Sequence, residues 1–271
     1  MSESRQRWRL AFRRDEAAMY LSHLDAIHAW ERALRRGRIP VSMSEGFNPR
    51  PRLAFAAPLP LGMLAGHELA DLVLAERLAL TTLRERLADC LPLGYVIVDR
   101  FDVWVGEPAL APQLAAADYR MTLLGIGPNE LAHACDRLLA ADKLPRTRAK
   151  ESREIHYDLR PLIHALRVGD APADAAVEGG GRAASIWMRL RHSQAGGTGR
   201  ADEVVAALAD QLGLRFSWTG GDEAEAGAPG EPDGSTSPGG IVELEVAGPV
   251  RERLWLAAEL APEGDSAASG V

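Results

Sequence analysis

Apolar positions recur with two different periods along the chain, and the switches between periods set out its elements. Trp8, Leu10 and Phe12 stand two apart and predict a first strand, followed by the turn-prone Arg13-Arg14-Asp15-Glu16. Leu24, Ile27, Trp30 and Leu34 then recur at three- and four-residue spacing, which makes one apolar face of a helix. Ser22 followed by Asp25 reads as a capping-box-like start, and Gly37 as the stop. Ile39 to Met43 and Leu53 to Ala57 read as extended runs, as does Leu69 to Ala75. Leu80, Leu83, Leu87 and Leu91 return to the helical period, and Tyr95 to Phe101 is a further strand. The order is β-α-β-β-α-β with one extra or split strand, which predicts an antiparallel sheet covered by two helices.

The same order repeats downstream. Tyr119 to Leu124 reads as strand, Pro128 to Ala141 as helix, and Arg153 to Leu159 as strand. Ile186 to Arg191, Asp202 to Leu212 and Ile241 to Val246 then read as strand, helix and strand. The expected fold class is α+β: tandem ferredoxin-like (βαββαβ-type) sandwiches with antiparallel sheets. The first unit is expected over residues 1–104 and the second over 118–262, joined by an Ala- and Pro-rich connector at 105–117. Insertions near 169–183 and 218–240, and the tail 263–271, are rich in Gly, Pro, Ala and acid and are expected as mobile loops.

Between the third and fourth apolar runs lies Ser44-Glu45-Gly46-Phe47-Asn48-Pro49-Arg50-Pro51-Arg52, which two prolines keep out of regular structure. Together with Ser22-His23-Leu24-Asp25, Glu31-Arg32-Ala33-Leu34-Arg35-Arg36 and Pro58-Leu59-Pro60-Leu61-Gly62, it resembles the radical-SAM-linked protein family. A weaker match follows at Asp158-Leu159-Arg160-Pro161. That family is a bacterial domain of unknown function, often encoded beside or fused to radical SAM proteins. The resemblance implies a radical SAM partner and assigns no reaction.

Charge narrows the partner class. The 271 residues carry a formal net charge of −7, which argues against indiscriminate coating of nucleic acid. Residues 1–54 nevertheless hold eleven arginines against six acidic residues, whereas only Arg251 and Arg253 oppose the acids beyond residue 217. A locally basic face on an acidic protein fits a selective anionic partner such as RNA. A hydrophobic content of 46% is ample for a core. No stretch is long and apolar enough to span a bilayer, arginines interrupt any signal-like start, and a cytoplasmic location is expected.

Several chemistries lack their residues. Cys90 and Cys135 lie far apart among apolar neighbours and read as buried free thiols. Two distant thiols cannot hold an iron–sulfur cluster, so the chain reads as the partner of a radical SAM enzyme and not as the enzyme. No Cys/His pair stands at zinc spacing, and no Walker-type loop is present, so neither metal nor cofactor is expected.

What remains is basic. Phe47, Asn48, Arg50 and Arg52 form one candidate binding group, in which arginine forks meet phosphate and an aromatic stacks on a base; Arg35 and Arg36 stand near it in sequence. The alternative is that Phe47 plugs the core edge. Arg146, Arg148, Lys150 and Arg160 form a second group, although Asp158 and Arg160 also read as a structural pair. Gly196-Gly197-Thr198-Gly199-Arg200 precedes a helix and reads either as a turn or as an anion site. His23, at the first turn of the capped helix, is the candidate general base, with a packing role as the alternative. The expected function is a non-catalytic RNA-binding accessory of a radical SAM partner, with RNA modification as the candidate process. The rivals are a metal-independent ribonuclease using His23 and a protein–protein adaptor.

Overall fold

The computed structural model describes residues 5–150, 153–172, 182–216 and 243–260. In chain order the first elements are β1 (Gln6–Arg14), α1 (His23–Arg36), β2 (Leu53–Phe55), β3 (Leu64–Leu74), α2 (Leu80–Cys90) and β4 (Tyr95–Val103). They are followed by β5 (Leu114–Leu124), α3 (Pro128–Ala140), β6 (Pro145–Lys150), β7 (Arg153–Asp158), β8 (Ile163–Asp170) and β9 (Ala183–Ser193). The last are β10 (Gly197–Thr198), α4 (Ala201–Leu212), β11 (Arg215–Phe216), β12 (Glu243–Leu256) and α5 (Ala257–Leu260). The chain is a mixed α+β fold built on one large, mostly antiparallel sheet.

Within the first half the strands lie β4–β1–β3–β2, and within the second β8–β9–β5–β12, every neighbour antiparallel. The halves do not form two separate sheets. β2 pairs with β3 only at Ala70 to Leu72, which leaves the start of that edge open. There β12 pairs parallel to it, Val250 opposite Leu64 and Arg251 opposite Ala65. A ten-stranded sheet results.

Helix packing follows the sequence pattern with one correction. Ser22 caps α1 by accepting the Asp25 amide at 3.1 Å, and its hydroxyl donates to the Asp25 carboxylate at 2.7 Å. The buried stripe is Ala26, Trp30, Ala33 and Leu34, not the stripe expected from Leu24, which is 64% exposed. Leu24 stands two residues before Ala26, about 200° around the helix at about 100° per residue. Trp30 meets Phe12, Phe55 and Tyr95 in the core that α1 and α2 cover. Gly37 ends α1, and its place needs a missing side chain: a Cβ there would stand 2.6 Å from Cys90 Sγ of α2.

The second half shows three departures from the expected elements. The run expected as Arg153 to Leu159 is β7, and it pairs with β6 in a separate hairpin. The strand in the main sheet is β8, which follows it. β12, expected only to Val246, continues to Leu256. In the first half, Ile39 to Met43 makes two isolated bridges in place of a strand. The expected insertions and tail fall largely or wholly outside the described residues. Among the described residues, no helix is long and apolar enough to cross a membrane.

Candidate functional site

Prolines at 58 and 60 leave the Pro58–Gly62 segment with carbonyls and few amides, so its acceptors need donors from elsewhere. Two buried arginines supply them. Arg14 Nη2 donates to the Pro60 and Met63 carbonyls at 2.8 and 2.7 Å, and Arg251 Nη1 to the Pro58 carbonyl at 2.9 Å. Arg251 and Glu68 are 1% and 2% exposed and form a two-pronged pair, Nε to Oε1 at 2.6 Å. The Tyr119 hydroxyl also meets Arg251, and burial raises the tyrosine's pKa. Gly62 closes the segment at φ +70°, a backbone state that glycine adopts freely.

This segment separates two hollows. The smaller, about 20 Å³, is lined by His23, Arg14, Phe55, Leu59, Glu68 and Tyr95 among others. That is room for about one water. The His23 ring lies edge-on to Phe55 at 6.0 Å, and its proton affinity is lowered by burial first, then by the Arg251 and Arg14 charges.

The larger cleft, about 400 Å³, lies between Pro58, Pro60 and Met63 from the first half and a polar lining from the second. That lining includes Tyr119, Arg148, His192, Gln194 and the Gly197-to-Asp202 turn into α4. Gly197 has φ +87°, and a Cβ on Gly199 would crowd the Leu162 carbonyl at 3.0 Å, so the turn favours glycine at both positions. His192 Nδ1 and Arg148 Nε are buried without a hydrogen-bond partner among the described residues. The pKa of His192 is lowered to about 4, by burial first and then by Arg251.

The His192 shift gives stability a pH dependence of definite sign. The unfolded chain, with its histidine near 6.5, takes up a proton before the folded chain does. The contribution of the neutral ring is therefore complete above about pH 6.5 and is lost as pH falls toward 4. The melting temperature is expected to fall over that window, and His192→Asn to reduce the fall. Parallel pH profiles for the two proteins would contradict the assignment.

The other residues singled out in the sequence scatter. Phe47 is 106% exposed, and Asn48 and Arg50 are exposed beside it; Arg52 stands 3.9 Å from Glu45. This loop leaves the sheet where the Arg52 carbonyl accepts from the Val73 amide, whereas the cleft borders Met63. Nearly the whole length of β3, about 30 Å at about 3.3 Å per residue, separates those anchors. The structure therefore does not bring the Phe47 loop and Arg148 into one cleft. Arg35 is exposed, while Arg36 donates to the Cys90 carbonyl at 2.7 Å. Arg146 is paired with Asp210, and Arg160 donates to the Leu139 and Ile163 carbonyls at 3.0 and 3.2 Å. Asp158 accepts the Leu144 and Arg160 amides, which lower its pKa. Lys150 ends β6, and its side chain lies outside the described residues. Cys90 and Cys135 are free and buried, and burial pushes the Cys135 thiol up to about 12.

A feature absent from the sequence reading lies on the face of the second-half sheet opposite α3 and α4, where Glu259 of α5 pairs with Arg253 at 2.8 Å. Arg167 of β8 stacks on Trp187 of β9 at 4.8 Å, and Arg189 lies 5.4 Å from Trp187 and 4.6 Å from Trp255 of β12. Arg253 completes the row at 3.9 Å from Trp255. Asp118 fixes its centre, accepting twice from Arg189 at 2.7 and 2.8 Å and once from Trp255 Nε1 at 2.8 Å. A register shift between Arg251 and Arg253 turns the first toward Tyr119 and the second toward Asp118. The available signal was Trp187, Arg189 and Arg191 alternating with Ile186, Met188 and Leu190.

Residues 7–196 match the profile of the family described as "Uncharacterized protein conserved in bacteria (DUF2344)". The chain belongs to this family. The DUF2344 match covers Pro58–Gly62, Glu68, Arg148 and His192, and ends before Arg251. No curated protein matches the chain. Among solved structures, it is similar to an unknown protein from Galdieria sulphuraria, at 17% identity over 78% of this chain and 95% of the other, with a TM-score of 0.24.

Proposed function

We propose that this DUF2344 protein is a non-catalytic RNA-binding accessory that works in the cytoplasm with a radical SAM partner. The partner comes from the motif resemblance alone. The unpaired thiols of Cys90 and Cys135 fit a reducing compartment. In this reading each half is a ferredoxin-like unit, one within residues 1–104 and one within 118–262, an arrangement supported by the strand orders β4–β1–β3–β2 and β8–β9–β5–β12.

The observation that carries RNA binding is the Arg167–Trp187–Arg189–Trp255–Arg253 row across the sheet face opposite α3 and α4. Guanidinium planes and indoles both stack on unpaired bases, and arginine also meets phosphate. Asp118 holds the central arginine and one indole in place, so little side-chain freedom is left to lose on binding. His23 is better suited to packing than to general-base catalysis, because the hollow it borders holds about one water.

Fluorescence anisotropy with a labelled single-stranded RNA, repeated over a salt series, tests the reading. Arg167→Ala is expected to weaken binding several-fold and to lower the salt slope by about one unit if it contacts one phosphate. Trp187→Ala is expected to weaken binding with the slope retained. Absence of RNA binding by the intact protein overturns the proposal.

The exposed Phe47 on its Pro49/Pro51-stiffened loop favours a second role for the same molecule, docking on the protein partner. Phe47→Ala, with or without Arg50→Ala and Arg52→Ala, is then expected to bind RNA as the parent does and to lose copurification of the partner. Loss of RNA affinity in these variants would return the loop to the RNA surface.

A further inference from the structure

We propose that the cleft between Pro58–Met63 and the start of α4 binds a phosphate monoester of about mononucleotide size. The site is separate from the Arg–Trp row, and the proposal does not depend on RNA binding there.

Size and charge lead to this ligand. A hollow of about 400 Å³ falls within the range of small-ligand sites, about 300–1,000 Å³. Its lining carboxylate, Asp202, is held by Arg200 Nε and Nη2 at 3.1 and 2.9 Å. Glu68, behind Arg251, is likewise fully engaged. Those pairs cancel, and Arg148 remains as a lining cation without a carboxylate partner among the described residues. Its guanidinium lies 5.9 Å from the Tyr157 ring, which leaves its donors open to an anion. A net positive, polar hollow favours a compact anion over a neutral ligand.

The remaining groups set the class more narrowly. α4 is twelve residues long and begins without a side-chain cap, after a turn whose Gly197 and Gly199 line the cleft. The Gly199 amide already donates to the Arg191 carbonyl, so the amides open to phosphate are those of the first turn of α4, and Arg148 adds a forked donor to the same cleft. Thr198 supplies an exposed hydroxyl. Pro58, Pro60 and Met63 offer the ligand's remaining part an apolar surface. His192 Nδ1 and Arg148 Nε, both buried and unpartnered among the described residues, are polar atoms that a ligand would satisfy.

Isothermal titration of the full chain with the four nucleoside 5′-monophosphates, their nucleosides and inorganic phosphate tests the site. At least one monophosphate is expected to bind ten-fold or more tightly than its nucleoside, with inorganic phosphate competing. Arg148→Ala and Arg148→Glu are expected to lose at least ten-fold in affinity without a change in melting temperature. Arg167→Ala, on the other sheet face, is expected to retain it, which separates this site from the RNA reading. A 5′-phosphorylated oligonucleotide and its 5′-hydroxyl counterpart distinguish the sources. Preference for the phosphorylated strand over the free monophosphate makes the ligand an RNA end, and the reverse makes it a free nucleotide. Nucleoside and monophosphate binding equally, no binding of any phosphate probe, or parental affinity in both Arg148 variants overturns the proposal.

Discussion

Replacing Glu68 with alanine is expected to lower stability by about 3–5 kcal/mol, the range for breaking a buried ion pair by removing one partner. Arg251, at 1% exposure, would then keep a charge with no counter-ion at the joint between β12 and β3. The cost is concentrated at the junction of the halves, because Glu68 and Arg251 are 183 residues apart in sequence and adjacent in the fold. The Pro58 carbonyl hangs on the same guanidinium, so the wall of the cleft loosens with the pair. Urea denaturation measures the loss. Glu68→Met combined with Arg251→Met is expected to recover much of it, since replacing both partners by apolar groups is often close to neutral. Recovery stays incomplete because the Pro58 carbonyl keeps no donor, at a cost of about 1–3 kcal/mol. A Glu68→Ala protein within about 1 kcal/mol of the parent would show that Arg251 is not held as a buried cation, contrary to the pKa rise that Glu68 gives it.

The legibility of this fold tracks the range of the forces involved. Short-range periodicity set out β1, α1, α2, α3 and α4, because each presents its apolar residues at its own period. It placed Trp30 correctly and Leu24 wrongly, since a helix with apolar residues over much of its surface does not declare which stripe faces the sheet. β8 and the second part of β12 escaped for a different reason. Arg167, Arg251 and Arg253 interrupt their apolar alternation, and only distant partners make those arginines acceptable in a sheet. Arg251 is tolerated in the interior because Glu68 lies against it, and Arg189, partly exposed on the sheet face, is held by Asp118.

The candidate site divides along the same line. Pro58–Gly62 and the Gly196–Arg200 turn were visible as motifs, because proline and glycine mark backbone geometry directly. That they line one cleft depends on β12 returning to β3, a pairing that no local pattern encodes. Arginine counts were similarly blind to context. Arg36, Arg146 and Arg160 contribute to the sequence's basic groups, yet each directs its donors to a carbonyl or carboxylate of this chain. Arg148 and Arg50, in the same two groups, do not form ion pairs among the described residues, and nothing in their neighbours' identities separates the two kinds.

Trp30→Ala is expected to cost about 3–5 kcal/mol, the range for a large aromatic removed from a core. Trp30 is 0% exposed, and its ring stands 5.1 Å from Phe12, 5.4 Å from Phe55 and 5.5 Å from Tyr95. Those three rings sit on β1, β2 and β4, and none can follow the missing indole without shifting its strand. The void would therefore collapse poorly, which places the loss toward the upper end of the range. Trp30→Phe is expected to be far milder. It keeps much of the ring and removes an Nε1 that has no partner among the described residues, so the lost volume is offset by relief of an unsatisfied donor. Chemical denaturation of both variants decides the point, and a parental midpoint for Trp30→Ala would rule out its place at the centre of the first-half core. The loss should also reach the smaller hollow, because Phe55 touches both Trp30 and His23. With the void left open behind Phe55, that ring loses its backing and water gains access to the imidazole, so the His23 pKa is expected to rise toward its ordinary value when followed by NMR titration.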